Sequence, residues 1–210
     1  MIRAIIFDLD NCLSAADEVG RELFEPMFAA IRRMNKDTLS EGALAQAFED
    51  CWRHPLDWVA RAHGFSEEML AAGWEVAART EVEVPMRGYE DLPAVRELDA
   101  KLFLVTSGFR RLQESRIRAL GFASLFEAIH VDAIDEADRK GKEGIFKDIL
   151  KTNDLSPEEV LVVGDNPDSE IEAGNRLGMR TVQILREGVS RGSNATHYIH
   201  SLSELKGLIT

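Results

Sequence analysis

The chain has 210 residues, 45% of them hydrophobic and 30% charged, which is enough apolar material for a core domain with a modest insertion. A net charge of −12 disfavours phosphate backbones and anionic membranes, so nucleic acid and lipid are poor partners, whereas a small phosphorylated molecule is not excluded. Cys12 and Cys51 are too few for a disulfide framework, and no apolar run is long enough for a signal segment or a spanning helix; the expectation is a cytoplasmic protein, monomeric or homodimeric.

Ala4 to Phe7 opens the chain as a short buried strand and stops at Asp8. Residues 14–85 then lack a convincing strand. They carry apolar stripes at helical spacing, Leu23, Phe24, Met27, Phe28, Ile31 and Met34 in one stretch and Leu44, Ala47, Phe48, Cys51 and Trp52 in the next. Ser40 and Ser66 are placed to cap helices, and Pro26 is expected to kink or split the first one. After residue 85 strands and helices alternate. Leu102 to Thr106, Val160 to Val163 and Thr181 to Leu185 read as parallel strands, Ala128 to Val131 as a weaker one, and His197 to Ile199 as an edge piece. Helical patterns cover Arg110 to Leu120, Lys142 to Lys151 and Asp168 to Leu177, with Gly121 and Gly178 as left-handed caps. Ser156-Pro157-Glu158-Glu159 carries the residues of a capping box. The alternation predicts an α/β fold, a doubly wound, Rossmann-like parallel sheet. Its core is formed by residues 1–13 and 86–210, with an α-helical domain of residues 14–85 inserted after the first strand.

In an open α/β sheet, ligands bind beyond the carboxyl ends of the strands. Those ends carry Asp8-Leu9-Asp10-Asn11, Thr106-Ser107-Gly108 and Gly164-Asp165-Asn166-Pro167-Asp168-Ser169-Glu170, and a loop supplies Lys140-Gly141-Lys142. Each cluster alone is ordinary turn chemistry; together they suit phosphoryl transfer. Two carboxylates 4 Å apart repel by roughly 4 kcal/mol at an effective dielectric near 20, so Asp8 and Asp165 call for a cation between them. An oxygen-rich ligand set favours Mg2+. A lysine adds positive charge, Thr106 with the following backbone N–H groups can hold a phosphate oxygen, and Asp10 is placed for acid/base work.

These segments resemble the haloacid dehalogenase superfamily of phosphohydrolases. Asp8-Leu9-Asp10-Asn11-Cys12 is similar to its first motif, Thr106 within Val105-Thr106-Ser107-Gly108 to its second, and Gly164-Asp165 through Glu170 to its fourth; Gln113 matches a frequent pattern in the helix that follows the second. The resemblance implies Asp8 as nucleophile, Asp10 as general acid/base, and Mg2+ held by Asp8, the Asp10 carbonyl and Asp165, with Glu170 acting directly or through water. It implies phosphate contacts from Thr106, Ser107 and Gly108, and a helical cap that selects the substrate. Two departures stand out. Cys12 replaces a Thr or Val, and the third motif leaves its lysine open between Lys140 and Lys142, with Lys142 preferred because it directly precedes a helix.

Bland readings cover the other candidates. Cys51, His54 and His63 fit no zinc spacing, and Trp52, Trp58 and Trp74 read as helix packing. Arg110 and Arg111 read as a solvated first turn, and Asp17, Glu18, Glu22 and Glu25 as a solvated acidic face. Asp10 argues against dehalogenation. A sugar-phosphate mutase and a non-catalytic binding module on the same fold remain as alternatives to phosphate ester hydrolysis.

Overall fold

The computed structural model describes residues 1–209. Its centre is a six-stranded sheet built from β1 (Ala4–Phe7), β2 (Lys101–Gly108), β3 (Ala128–Ala133), β4 (Val160–Gly164), β5 (Arg180–Ile184) and β6 (His197–Ile199). All neighbours pair in parallel, in the order β3-β2-β1-β4-β5-β6. The expected α/β class and parallel sheet are both found. β2 and β3 each run past the sequence estimate because Ser107 and Gly108 pair with Asp132 and Ala133.

Both faces of the sheet are covered, which explains why the strands read as continuous apolar runs. Alternation puts Ile5, Phe7, Leu104 and Val163 on one face, against Val95, Ile117 and Leu202. Ala4, Ile6, Phe103 and Val162 face the other way, onto Ile145, Phe146 and Ile149. Phe7 is fully buried, a gain of about 1.5–3 kcal/mol over leaving such a ring in water.

Four helices separate β1 from β2 along the chain, α1 (Glu25–Met34), α2 (Glu41–Asp50), α3 (Leu56–His63) and α4 (Glu67–Ala77). The hydroxyls of Ser40 and Ser66 accept from the backbone N–H groups of Ala43 and Met69, as expected of N-caps. Pro26 splits its stretch and does not kink it. It lies in the first turn of α1, where its missing N–H has no intrahelical partner to lose, and the chain before it forms a separate 3-10 turn at Arg21–Leu23. These helices gather an apolar cluster of their own, including Phe28, Ile31, Leu44 and Met69, joined by Phe109 and Leu112.

After β2 come α5 (Arg110–Leu120), α6 (Gly141–Asn153), α7 (Glu170–Arg176) and the short α8 (Lys206–Ile209). Gly121 ends α5 in the left-handed region, while Asp154 does the same for α6 without being glycine. The capping box at Ser156 and Glu159 is formed. α7 starts two residues later than its apolar pattern suggests, because Asn166 to Ser169 form the turn that leaves β4. Among the described residues no helix is long and apolar enough to cross a membrane.

Candidate active site

The sheet order sets the site. β1 lies between β2 and β4, so the residues that follow these three strands meet at one edge. Asp8 follows β1, and its N–H donates to the Val163 carbonyl at 2.9 Å, fixing its backbone beside β4. Its carboxylate is almost wholly enclosed and accepts from Lys142 Nζ at 2.8 Å. The same ammonium donates to Glu170 Oε2 at 2.7 Å, and the other Glu170 oxygen accepts from the Asn166 N–H at 2.7 Å. Oxygens of Asp8, Asp165 and Glu170 all lie within 4.8 Å of one another.

Two carboxylates therefore share one lysine, with a third beside them. Burial, reinforced by Glu170 and Asp10, outweighs the pull of Lys142 and pushes Asp8 up to about 7. Burial, with Glu170 and Asp8 adding to it, takes Asp165 up to about 8. Burial also works against the Lys142 charge, but Asp8 and Glu170 prevail and hold it above the ordinary lysine value. The cluster is short of positive charge, and its donors are oxygens. A hard divalent cation such as Mg2+ fits both features. Both Glu170 oxygens already have partners, which suits a contribution through water better than direct ligation.

Gly164 is required here. A Cβ on it would fall 2.2 Å from Glu170 Oε1, so only glycine lets that carboxylate lie against the end of β4.

The two lysines separate clearly. Lys142 is buried in the cluster, whereas Lys140 is exposed and donates to Asp148 at 2.6 Å. The structure does not bring Lys140 to the site. Lys142 arrives there because Asp132, buried on β3, accepts from the Gly141 N–H at 2.9 Å and from Arg139 Nε at 2.8 Å, which holds the turn into α6. Asp132 also takes the Ser107 hydroxyl at 3.2 Å, so that hydroxyl is engaged with β3.

Thr106 is fully buried, and its Oγ1 accepts from Gln113 Nε2 at 3.1 Å. That leaves the threonine hydrogen free to donate elsewhere. Asp10 is bound by two side chains of α5. Gln113 Nε2 donates to Oδ2 at 2.9 Å, and the Arg116 guanidinium is in ionic contact with Oδ1. Sequence reasoning missed Arg116. Its signal was a charge inside the buried stripe of α5, between Leu112 and Ile117.

Asp8, Asp10, Thr106, Ser107, Gly108, Lys142, Asp165 and Glu170 all line one cavity of about 490 Å3. The opposite wall comes from the segment after β1, with Phe24 and Met27 at the start of α1 and Trp52, Arg53 and His54 in the turn between α2 and α3. Trp52 is thus part of the cavity as well as packed edge-on against Phe24. Trp74 packs on Phe109 as expected, while Trp58 is exposed and stacks on His54. Arg110 and Arg111 lie outside the cluster, paired with Glu136 and Glu81. Glu18 is not a solvated residue. It accepts from the Arg87 and Gly88 N–H groups and from Ser14 Oγ, tying the chain leaving the core to the chain returning to it. Cys12 is enclosed, and burial pushes its thiol well above its ordinary value, so it has no thiolate character. Asp8, Asp165 and Glu170 are the one acidic, histidine or cysteine group arranged for a metal among the described residues.

Residues 2–178 match the profile of the haloacid dehalogenase-like hydrolases. The chain is 29% identical over 199 residues to a glyceraldehyde 3-phosphate phosphatase of Methanopyrus kandleri, covering 89% of this chain and 85% of that one. It is 26% identical over 232 residues to the protein of that name from Methanocaldococcus jannaschii, covering 100% and 97%. Among solved structures it is similar to a haloacid dehalogenase-like family hydrolase, SP0104, from Streptococcus pneumoniae, with a TM-score of 0.73 at 14% identity over 100% of this chain and 99% of that one. The sheet order, the strand-end residues and the matched profile agree: the chain belongs to the haloacid dehalogenase-like hydrolases.

Proposed function

We propose that this protein is a Mg2+-dependent phosphatase that hydrolyses a small phosphate monoester through an aspartyl-phosphate on Asp8. The observation that carries this reading is Lys142, shared at 2.8 and 2.7 Å between Asp8 and Glu170 with Asp165 alongside, a cluster short of positive charge at the floor of a cavity. Phosphatases among the relatives support it.

Asp8 attacks phosphorus, forming a bond from its carboxylate oxygen as the bond to the leaving oxygen breaks. Asp10 gives that oxygen a proton. It then takes a proton from water, whose oxygen attacks the same phosphorus and releases the Asp8 carboxylate. Lys142 and the Thr106 hydroxyl hold charge on the phosphoryl oxygens. Asp8, the Asp10 carbonyl and Asp165, with Glu170 behind them, would hold Mg2+, whose charge would let an anionic nucleophile approach an anionic phosphate. Residues 14–85 act as a cap that covers the cavity and chooses the leaving group. A cavity of about 490 Å3 suits a small molecule.

The test is hydrolysis of p-nitrophenyl phosphate with Mg2+. EDTA and Asp8→Asn should each abolish it, and sustained turnover by Asp8→Asn would remove Asp8 as nucleophile.

A further inference from the structure

Arg116 is the least expected charge in the molecule. Its side chain is 5% exposed, on the buried face of α5 beside Leu112, Gln113, Ser115 and Ile117. A buried guanidinium is costly unless its donors are met. Here they are met only in part. One Nη contacts Asp10 Oδ1, the other donates to the Ala15 carbonyl at 3.2 Å, and Nε has no partner. An apolar side chain of similar length would fill the space at less cost, so the charge calls for a reason beyond packing.

The reason lies in what it touches. Asp10 is held from both sides by α5, with Arg116 on Oδ1 and Gln113 on Oδ2. Gln113 Nε2 also reaches Thr106 Oγ1 at 3.1 Å and the Ser107 carbonyl at 2.9 Å. An amide carries two hydrogens, so three acceptors at Nε2 must share them. Shared in this way it cannot fix Asp10 firmly. Arg116 can, because its planar fork spans Asp10 and the Ala15 carbonyl together. Ala15 begins the chain that leads to the helices after β1, and Glu18, three residues on, fastens that chain to Gly88.

We propose that Arg116 is the positioning residue for Asp10, holding its carboxylate where it can reach the leaving oxygen and coupling that placement to the path of the chain at Ala15. This rests on the phosphatase reading and adds a residue to it. Its chemical consequence is selective. A basic alkoxide leaving group needs a proton from Asp10 as it departs, and a nitrophenolate does not. Arg116 therefore matters most for alkyl phosphates.

The experiment compares first-step rates in single turnovers with p-nitrophenyl phosphate and glycerol phosphate, for wild type, Arg116→Met and Arg116→Lys. Wild-type activity and its loss in Asp8→Asn decide the phosphatase reading separately. Arg116→Met should lose about tenfold or more on glycerol phosphate beyond its loss on the aryl ester, with KM little changed. Arg116→Lys should recover part of that selective loss. Equal losses on both esters, or no loss, would overturn the proposal. Should Arg116→Met not fold, Arg116→Lys carries the comparison in the Asp10→Asn background. There the lysine should add no further loss on glycerol phosphate, and a fully additive loss would overturn the proposal.

Discussion

The Lys142 ammonium lies 2.8 Å from the Asp8 carboxylate, with both side chains under 10% exposed. Neither group has bulk water to stabilise its charge, so each depends on the other. Lys142→Met leaves Asp8, Asp165 and Glu170 with no cation from the chain itself. We expect kcat to fall by about 100-fold or more. Lys140→Met removes only an exposed pair with Asp148 and should change kcat less than about twofold. Steady-state kinetics of both variants checks this; the opposite ranking would return the motif lysine to Lys140.

The crowded carboxylates also predict a trade between stability and activity. Asp165 stands at about 8 when folded, chiefly through burial, against an ordinary value near 3.9. The folded state therefore binds this proton more tightly than the unfolded chain does. In EDTA, stability should fall as pH rises from about 4 towards about 8. Asp165→Asn removes its own share of that fall, leaving the part that comes from the raised Asp8, and should be more stable than wild type at pH 8 without metal, by roughly 1–3 kcal/mol, while losing activity. Mg2+ at about 100 times its Kd should stabilise wild type by about 2.7 kcal/mol, and the variant by less. Urea melts at pH 5 and 8, with EDTA or Mg2+, measure both effects. A wild type unaffected by Mg2+ contradicts the metal assignment.

A second, partly buried pair has the opposite pH sign. Arg186 binds both oxygens of Asp91 at 2.8 Å, donates to the Cys12 carbonyl and stacks on Tyr89. Burial would raise Asp91, but Arg186 and the Leu202 N–H outweigh it and leave its pKa lowered. Its contribution is present above the ordinary aspartate value near 3.9 and is lost as pH falls through the lower folded value. Asp91→Asn should cost about 1–3 kcal/mol at pH 7, because the partly buried Arg186 loses its counterion. The gap to wild type should close as pH falls below the ordinary aspartate range. A gap that is constant across this range would mean that the pair does not carry the stability.

Gly164→Ala tests how closely Glu170 must lie against β4. β4 is buried along its whole length, so the backbone has little room to yield, and Glu170 must move. Overpacking of this kind costs about 1–3 kcal/mol, and Lys142 loses its second anchor. We expect a lowered melting temperature and a fall in kcat of about tenfold or more. Wild-type values for both would show that the site tolerates a displaced Glu170.

The legible part of the site is the part written at strand ends. Asp8, Asp10, Thr106 and Asp165 stand where apolar runs stop, and the parallel sheet brings those stops together. Spacing left Lys140 and Lys142 open, because two residues at the start of a helix differ little in pattern; their burial separates them. Arg116, Asp132 and the Asp91–Arg186 pair were not read at all. Their partners are set by tertiary packing, as Arg186 meeting Asp91 and Cys12 illustrates, and no local rule links such positions. Glu18 looked like one more exposed acid among four, because nothing near it shows that Arg87 and Gly88 return to its side.

The central place of β1 also has a consequence for the order of folding. Ala4 pairs with Lys101 on one side and Val160 on the other, so the first strand synthesised waits for both neighbours. Parallel pairings across such separations are slow to close, on a scale of roughly milliseconds to seconds. The helices after β1 share an apolar cluster contributed largely by nearby residues and can gather before the sheet does. Pulse-labelled hydrogen exchange should find the amides of α1 and α4 protected before those of Ile5 and Ile6. Asp8 would then leave the ribosome early but acquire its lysine and its neighbouring carboxylates only when the last third of the chain arrives.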